Sequence, residues 1–205
     1  HYVDNKLDKK WTYWADNGRK TQELEYDKGV KHGLFRQWNT DNYKIIDGEY
    51  NQGEKNNEWT VWYDDGTIKQ QEAYSDGNVN GQWIWWRPDG IKDNEGTYKN
   101  GIKHGVWTLW NNADHKKLEE TYVNGVIDGI VTIWYDNGNK DREGTVRKNE
   151  PEGKWDYYNA DGTKDFVFDY GNGLDQVRIA ELEKRDDIFY KIGKHKPYTG
   201  MVIES

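Results

Sequence analysis

Aromatic and polar positions alternate along this chain with a period of 24 residues. Trp11, Phe35, Trp59, Trp83, Trp107, Val131 and Trp155 form one apolar series at that interval; Trp14, Trp38, Trp62, Trp86, Trp110, Trp134 and Tyr158 form a second. Eleven of the twelve tryptophans fall on these two positions. A fixed period of this length marks one supersecondary unit stacked many times, each copy burying its apolar side against its neighbours. Trp59 and Trp62 are separated by an odd number of residues, so an unbulged strand points them to opposite faces. Val61 and Tyr63 then join Trp59, Thr60 joins Trp62, and both faces of the sheet carry aromatic ladders.

Turn chemistry completes the unit. An opening glycine recurs as Gly29, Gly53, Gly77, Gly101 and Gly125, and a second one four residues on as Gly33, Gly81, Gly105, Gly129 and Gly153. Asn57 replaces the second glycine once, which predicts a backbone with positive φ at that position. Asp-Asn-Gly at 16–18 and 136–138, Asp-Asp-Gly at 64–66 and Pro-Asp-Gly at 88–90 follow the aromatic runs and predict hairpin loops of three to five residues. A returning arm ends in Tyr26, Tyr50, Tyr74, Tyr98, Tyr122 and Tyr170. The expected fold is all-β: an elongated, twisted, single-layer antiparallel sheet of stacked hairpins, roughly 65 to 70 Å long for seven of them.

Composition changes the picture in one respect. With 34% hydrophobic and 32% charged residues the chain is poor in material for a thick core. The aromatic share of 15% compensates, since each buried Trp or Tyr removes roughly 150 to 250 Å² from water. An isolated hairpin is marginal in water, so stability is expected to grow with repeat number.

The unit Gly-x3-Gly-x-Trp-x2-Trp, followed by a glycine turn and Glu-x2-Tyr, resembles the MORN repeat, in the bacterial variant found in antitoxin-like proteins of the YwqK type. The resemblance covers roughly residues 2–170. Leu182, Arg185, Tyr190 and Pro197-Tyr198-Thr199-Gly200 resemble the opening of a further array of the same kind. Val131 replaces an aromatic, Val146 replaces the tyrosine, and the unit at 149–170 opens with Asn149 and carries Pro151. The resemblance implies an extended hairpin sheet acting as an interaction scaffold, antitoxin-like, with no chemistry; membrane-lipid binding is a further property proposed for such proteins.

Breaks in the period divide the chain. Residues 1–170 are the expected array of about seven hairpins, in which Tyr2 precedes Tyr26 by one period and Asn5 and Lys9 hold the two glycine positions of a degenerate first unit. Residues 171–187 are an irregular linker with a short helix expected near 178–186. Residues 188–205 start another hairpin, either a cap or the beginning of a second array. Bare edge strands would be open to pairing with another chain and so to oligomerisation. The chain starts at His1, within a unit, and we expect an exported, processed protein of the cell envelope.

The chemical candidates reduce to surfaces. With no cysteine there is no thiol nucleophile, disulfide or cysteine-based zinc site. His32 and His104 hold one repeat position three units apart, too distant to share a metal. Asp64-Asp65-Gly66 lacks the twelve-residue calcium pattern and is explained as a turn. Glu95, Glu119 and Glu143 recur in one column and are expected as a solubilising row. A single-layer sheet offers no obvious cleft for paired carboxylates. No catalytic residue, metal or cofactor is implied. A net charge of −8 opposes nucleic acid and anionic membranes. The expected interaction surface is Trp62, Trp83, Trp85, Trp86, Trp110 and Trp134, on a scaffold whose structural glycines are Gly53, Gly77, Gly81, Gly101, Gly105, Gly125 and Gly129. A protein partner is the first reading, because aromatic patches with polar rims suit such interfaces. Carbohydrate or cell-surface binding through exposed Trp and Tyr ladders is the alternative. Trp85 is weighed two ways: as part of a contact patch at 83–86, or as a filler of the apolar column that Val61, Leu109 and Ile133 occupy.

Overall fold

The computed structural model describes residues 2–111 and 113–171, together with four short strands beyond them. A small hairpin of β1 (Tyr2–Val3) and β2 (Lys6–Leu7) comes first. Then follow β3 (Lys9–Trp14), β4 (Lys20–Asp27), β5 (Val30–Trp38), β6 (Lys44–Asn51), β7 (Glu54–Trp62), β8 (Ile68–Ser75) and β9 (Asn78–Trp86). The series continues with β10 (Lys92–Lys99), β11 (Ile102–Trp110), β12 (Lys116–Val123), β13 (Val126–Trp134), β14 (Lys140–Arg147), β15 (Glu150–Tyr158) and β16 (Lys164–Asp169). From β3 to β16 the strands form one antiparallel sheet of fourteen, each paired with its sequence neighbours. The sheet is open, and at about 4.8 Å per strand it extends for about 60 Å.

The two ends of the strands carry different turns, and the opening glycines serve the tighter one. In Ser75-Asp76-Gly77-Asn78, Ser75 pairs with Asn78 while Asp76 and Gly77 have φ of 48° and 79°. Positive φ at both central residues is the two-residue turn whose twist matches the flanking strands. Gly53, Gly101 and Gly125 occupy the same place, each after a residue of positive φ. At the opposite ends, loops such as Asp64-Asp65-Gly66 are closed by Tyr63 N–H donating to the Thr67 carbonyl at 2.8 Å. Asp65 Oδ1 accepts from Thr67 N–H at 2.9 Å, so that carboxylate is engaged in the turn.

The second glycine marks a bulge. Leu24 pairs with Phe35 but Tyr26 with Lys31, so Gly33 lies in an over-long stretch of β5. Gly81, Gly105 and Gly129 repeat this with positive φ, Asn57 has φ of 59°, and Lys9, in the degenerate first unit, has φ of 61°. Asparagine at 57 is thus explained by its tolerance of the left-handed region.

One face is the core. Leu24, Phe35, Trp59, Trp107, Val131, Trp155 and Phe168 are buried although the described residues form no second layer over them. Burial comes from lateral contact: Trp59 stacks on Phe35 at 5.5 Å and meets the edges of Tyr50 at 5.1 Å and Tyr74 at 6.4 Å. Tyr2 meets Trp11 at 5.1 Å in the same manner, which fits its place one period before Tyr26.

Beyond the array, β17 (Val177–Arg178) pairs in parallel with β20 (Val202–Ile203), and β18 (Leu182–Arg185) pairs antiparallel with β19 (Ile188–Lys191). The short helix expected near 178–186 is therefore corrected: its described residues are strand. The β-branched and aromatic run Ile188-Phe189-Tyr190 supplies a ladder partner, and pairing with it overrides the weak local helix preference of Leu182–Arg185. The hairpin lies across the boundary drawn at 187 and 188. Residues 179–181 and 186 of the expected helix, and Pro197-Tyr198-Thr199-Gly200, lie outside the described residues.

Candidate functional site

The six tryptophans expected as one surface lie on two faces. Trp62, Trp86, Trp110 and Trp134 share a face with an unbroken cross-strand row from Thr12 to Val167, which includes Glu95, Glu119 and Glu143. Lysines one strand turn away cover three of these rings: Lys44 over Trp62 at 4.8 Å, Lys92 over Trp110 at 5.4 Å and Lys116 over Trp134 at 5.6 Å. Each lysine is held by an acid three residues on, with Lys44–Asp47 at 2.5 Å, Lys92–Glu95 at 2.8 Å and Lys116–Glu119 at 2.5 Å. Lys140–Glu143 at 2.7 Å continues the ladder; the hydrogen bond with Glu143 raises the Lys140 pKa and the same bond lowers that of Glu143. The expected solubilising row is thus a row of lysine–carboxylate pairs roofing the indoles. Ile68 and Gln71 replace lysine and acid together in one unit, which leaves Trp86 without this cover.

Trp83 and Trp85 face the other way, into the aromatic core. Trp85 belongs to the row that runs through Val61, Gln70, Asn94, Leu109, Leu118 and Ile133. It is 40% exposed, because indole is far larger than the side chains it replaces. Between this row and that of Trp83 and Trp107 lies an open cleft of about 430 Å³ across β9 to β12. Trp83, Trp85, Tyr98 and Trp107 form its aromatic walls, Leu109 and Leu118 its apolar floor, and Asn94, Lys103 and Glu120 its polar points. Trp83 and Trp85 lie 6.3 Å apart with planes tilted by 38°, and Tyr98 is 5.1 Å from Trp83.

The cleft arises from an alternation of 48 residues that the 24-residue period conceals. Gly48, Gly96 and Gly144 alternate with Leu24, Glu72, Glu120 and Phe168 at one repeat position. At each glycine the ladder skips a residue, as between Glu95 and Thr97, and the tryptophan of the next strand drops onto it. A methyl group on Gly96 would stand 2.1 Å from Trp107, and on Gly48 or Gly144 2.2 Å from Trp59 or Trp155. The bulge turns a main-chain carbonyl toward the indole: Trp59 Nε1 donates to Glu49 O at 3.1 Å, Trp107 Nε1 to Thr97 O at 3.2 Å and Trp155 Nε1 to Thr145 O at 3.0 Å. In the alternate units a carboxylate takes the glycine's place and accepts from a tyrosine, Glu72 from Tyr74 at 2.6 Å and Glu120 from Tyr122 at 2.7 Å. Burial, then Glu120, pushes the Tyr122 hydroxyl up to about 12. Burial, then the charge of Glu72, raises Tyr98.

Sequence reasoning missed Asn94, Tyr98, Lys103, Trp107, Leu118 and Glu120 as cleft residues; the recurrence of Gly48, Gly96 and Gly144 was the available signal. His32 and His104 lie on β5 and β11, about 29 Å apart across six strand spacings. Among the described residues no three His, Cys, Asp or Glu side chains gather in a group suited to a metal.

No protein-family profile matches the chain, and no curated protein matches it. Among solved structures it is similar to a chain of the crystal structure of a GtfA/B complex bound to UDP and GlcNAc, at 12% identity and a TM-score of 0.26. That match covers 62% of this chain and 24% of the other. At that score the likeness carries no conclusion about fold or function.

Proposed function

We propose that this chain is a non-catalytic, MORN-like scaffold that binds a protein partner along the aromatic face of its sheet. The observation that carries the reading is the cleft at Trp83, Trp85, Tyr98 and Trp107, open on a face over which the described residues form no second layer. Large aromatics around a desolvated centre, ringed by Asn94, Lys103 and Glu120, match the make-up of interface hot spots. The lysine-roofed tryptophans of the opposite face serve solubility and stiffness. An antitoxin-like role, in which the partner is a toxin held inactive, is the form the sequence resemblance implies.

A second reading, carbohydrate binding, draws on the exposed Trp85 ring beside the Asn94 side chain, a flat platform with a hydrogen-bonding group. One experiment separates the two. The wild-type chain and Trp85→Ser are immobilised and exposed in parallel to extract of the native cell and to a glycan array. Defined proteins retained by the wild type and lost from Trp85→Ser support the scaffold. Retention of glycans alone, sensitive to the same substitution, overturns it, as does protein retention that Trp85→Ser leaves unchanged.

A further inference from the structure

The core face lodges its own lysines between aromatic rings in a repeated arrangement. Lys55 stands over Trp59 at 4.4 Å and Tyr74 at 4.7 Å; Lys103 stands over Trp107 at 4.1 Å and Tyr122 at 4.9 Å. Lys31 stands over Tyr50 at 4.8 Å, with Phe35 in the tryptophan's place. In each case the lysine lies four residues before the first ring position and nineteen before the tyrosine. It is also paired across the ladder with the preceding tyrosine: Tyr26 with Lys31, Tyr50 with Lys55 and Tyr98 with Lys103.

The same position in the intervening unit is Val79, paired with Tyr74. Its two rings are present as Trp83 and Tyr98, without the lysine between them. They have drawn together to 5.1 Å with planes at 55°, against 6.4 Å and 6.3 Å, both at 72°, in the two Trp–Tyr pairs that hold a lysine, and 5.7 Å at 87° for Phe35 and Tyr50. Trp85 adds a third wall where the two flanking units have Val61 and Leu109; Gln37 and Ile133 stand at that position further out, and Tyr13 and Tyr157 toward the ends of the array.

The other three units without the lysine differ in other ways. Leu7 precedes Trp11 and Tyr26, and the Tyr2 ring packs against Trp11 at 5.1 Å. Ile127 stands beside Val131 and Val146, where there is no aromatic pair. Pro151 precedes Trp155 and Tyr170, which are both buried, with Tyr170 packed on Phe168 at 4.6 Å and hydrogen-bonded to the Tyr157 hydroxyl at 3.2 Å. In the Val79 unit, Trp83 and Tyr98 have no lysine of their own and line the open cleft together with Trp85.

We infer that the cage of Trp83, Trp85 and Tyr98 receives a lysine side chain of the protein partner, as rings of the neighbouring units receive Lys55 and Lys103. This deepens the scaffold reading and rests on it for the identity of the partner. Ring faces attract an ammonium group, and desolvation in a cleft strengthens the attraction. Glu120, the carboxylate that lines the cleft, and the net charge of −8 favour a cationic visitor. Lys103 also lines the cleft, with its ammonium engaged over Trp107 at 4.1 Å and Tyr122 at 4.9 Å; Lys31 and Lys55 already coexist two strands apart, about 10 Å, so a further ammonium in the array is not forbidden.

The test uses the full chain with nitrogen-labelled tryptophan, observed by its indole N–H signals, and two probes: N-acetyl-lysine methylamide and its neutral counterpart N-acetyl-norleucine methylamide. The lysine probe should shift the signals of Trp83 and Trp85 and bind at least about threefold more tightly than norleucine. Val79→Lys, which refills the cage from within, should abolish that preference. Tyr98→Leu, which removes a wall by a milder change, should reduce it. Equal or tighter binding of norleucine, a lysine preference that survives Val79→Lys, or no shift at Trp83 and Trp85 with either probe overturns the inference. Equal binding of the two probes leaves the scaffold standing on an apolar contact. A clear lysine preference combined with protein capture insensitive to Trp85→Ser overturns the scaffold and leaves the cage.

Discussion

Replacing Gly96 with alanine should unseat Trp107. The added methyl would stand 2.1 Å from Cδ2 and 2.3 Å from Cε2 of the ring, so the indole has to lift by more than about 1 Å to reach ordinary contact. It has little room to do so: Nε1 is tied to Thr97 O at 3.2 Å, and Tyr98 and Tyr122 flank it at 5.0 Å and 6.3 Å. Overpacking of this kind costs ~1 to 3 kcal/mol, and losing the indole–carbonyl bond adds ~0.5 to 1.5 kcal/mol. We expect a local loss of ~2 to 4 kcal/mol. Long repeat arrays do not unfold in one step, so the assay is amide hydrogen exchange of β10 and β11 rather than a single melting curve. Gly101→Asn is the control, since nothing lies within 4 Å of its Cβ and asparagine tolerates its φ of 78°. In a Trp107→Ala background the steric cause is gone and Gly96→Ala should cost less than ~1 kcal/mol. An effect within ~0.5 kcal/mol of wild type, or the same loss in both backgrounds, would refute the wedge of Trp on Gly.

Three further outcomes are expected. Asn57→Val places a β-branched side chain at φ of 59° and should destabilise β7 by ~1 to 2 kcal/mol, whereas Asn57→Gly should be neutral, read again by hydrogen exchange. Burial alone would raise the Glu23 carboxyl, but Lys20 at 2.5 Å and Lys10 at 3.0 Å hold it below the ordinary range. Its stabilisation is present above the unfolded glutamate pKa and lost as pH falls through the lower folded value; Glu23→Gln should flatten that acid limb in a pH series of denaturation curves. The Tyr122 hydroxyl, raised to about 12, stabilises the fold fully below the ordinary 10 and loses that contribution as pH rises toward 12. Tyrosinate absorbance should show a set of late-ionising groups, with Tyr26, Tyr74, Tyr98 and Tyr157 also raised, whose amplitude falls in Tyr122→Phe by the share of a single tyrosine.

Much of the architecture was legible from particular residues. The turns at Asp-Asn-Gly, Asp-Asp-Gly and Pro-Asp-Gly and the positive φ of Asn57 were predicted correctly, because those requirements are set by one or two consecutive dihedral angles. Trp59 and Trp62 were correctly placed on opposite faces, since alternation is a property of the strand itself. Tyr63 was expected to continue that strand but lies in the loop, where its hydroxyl donates to the Trp86 carbonyl at 2.8 Å. The helix near 178–186 was misread because β18 is held by a partner strand and not by its own propensity.

The chain alone determined the period, the strand order and the identity of each face, all consequences of local dihedral preference and of a two-residue alternation. Which tryptophans are exposed was decided only in three dimensions. Lysines eighteen residues away roof one ladder, while bulges opposite Gly48, Gly96 and Gly144 sink alternate rings of the other and leave the cleft at Trp85. Exposure is a sum over neighbours from adjacent strands, and a repeat that is regular in sequence becomes irregular where side chains of different size must share the same 4.8 Å strand spacing, approximately.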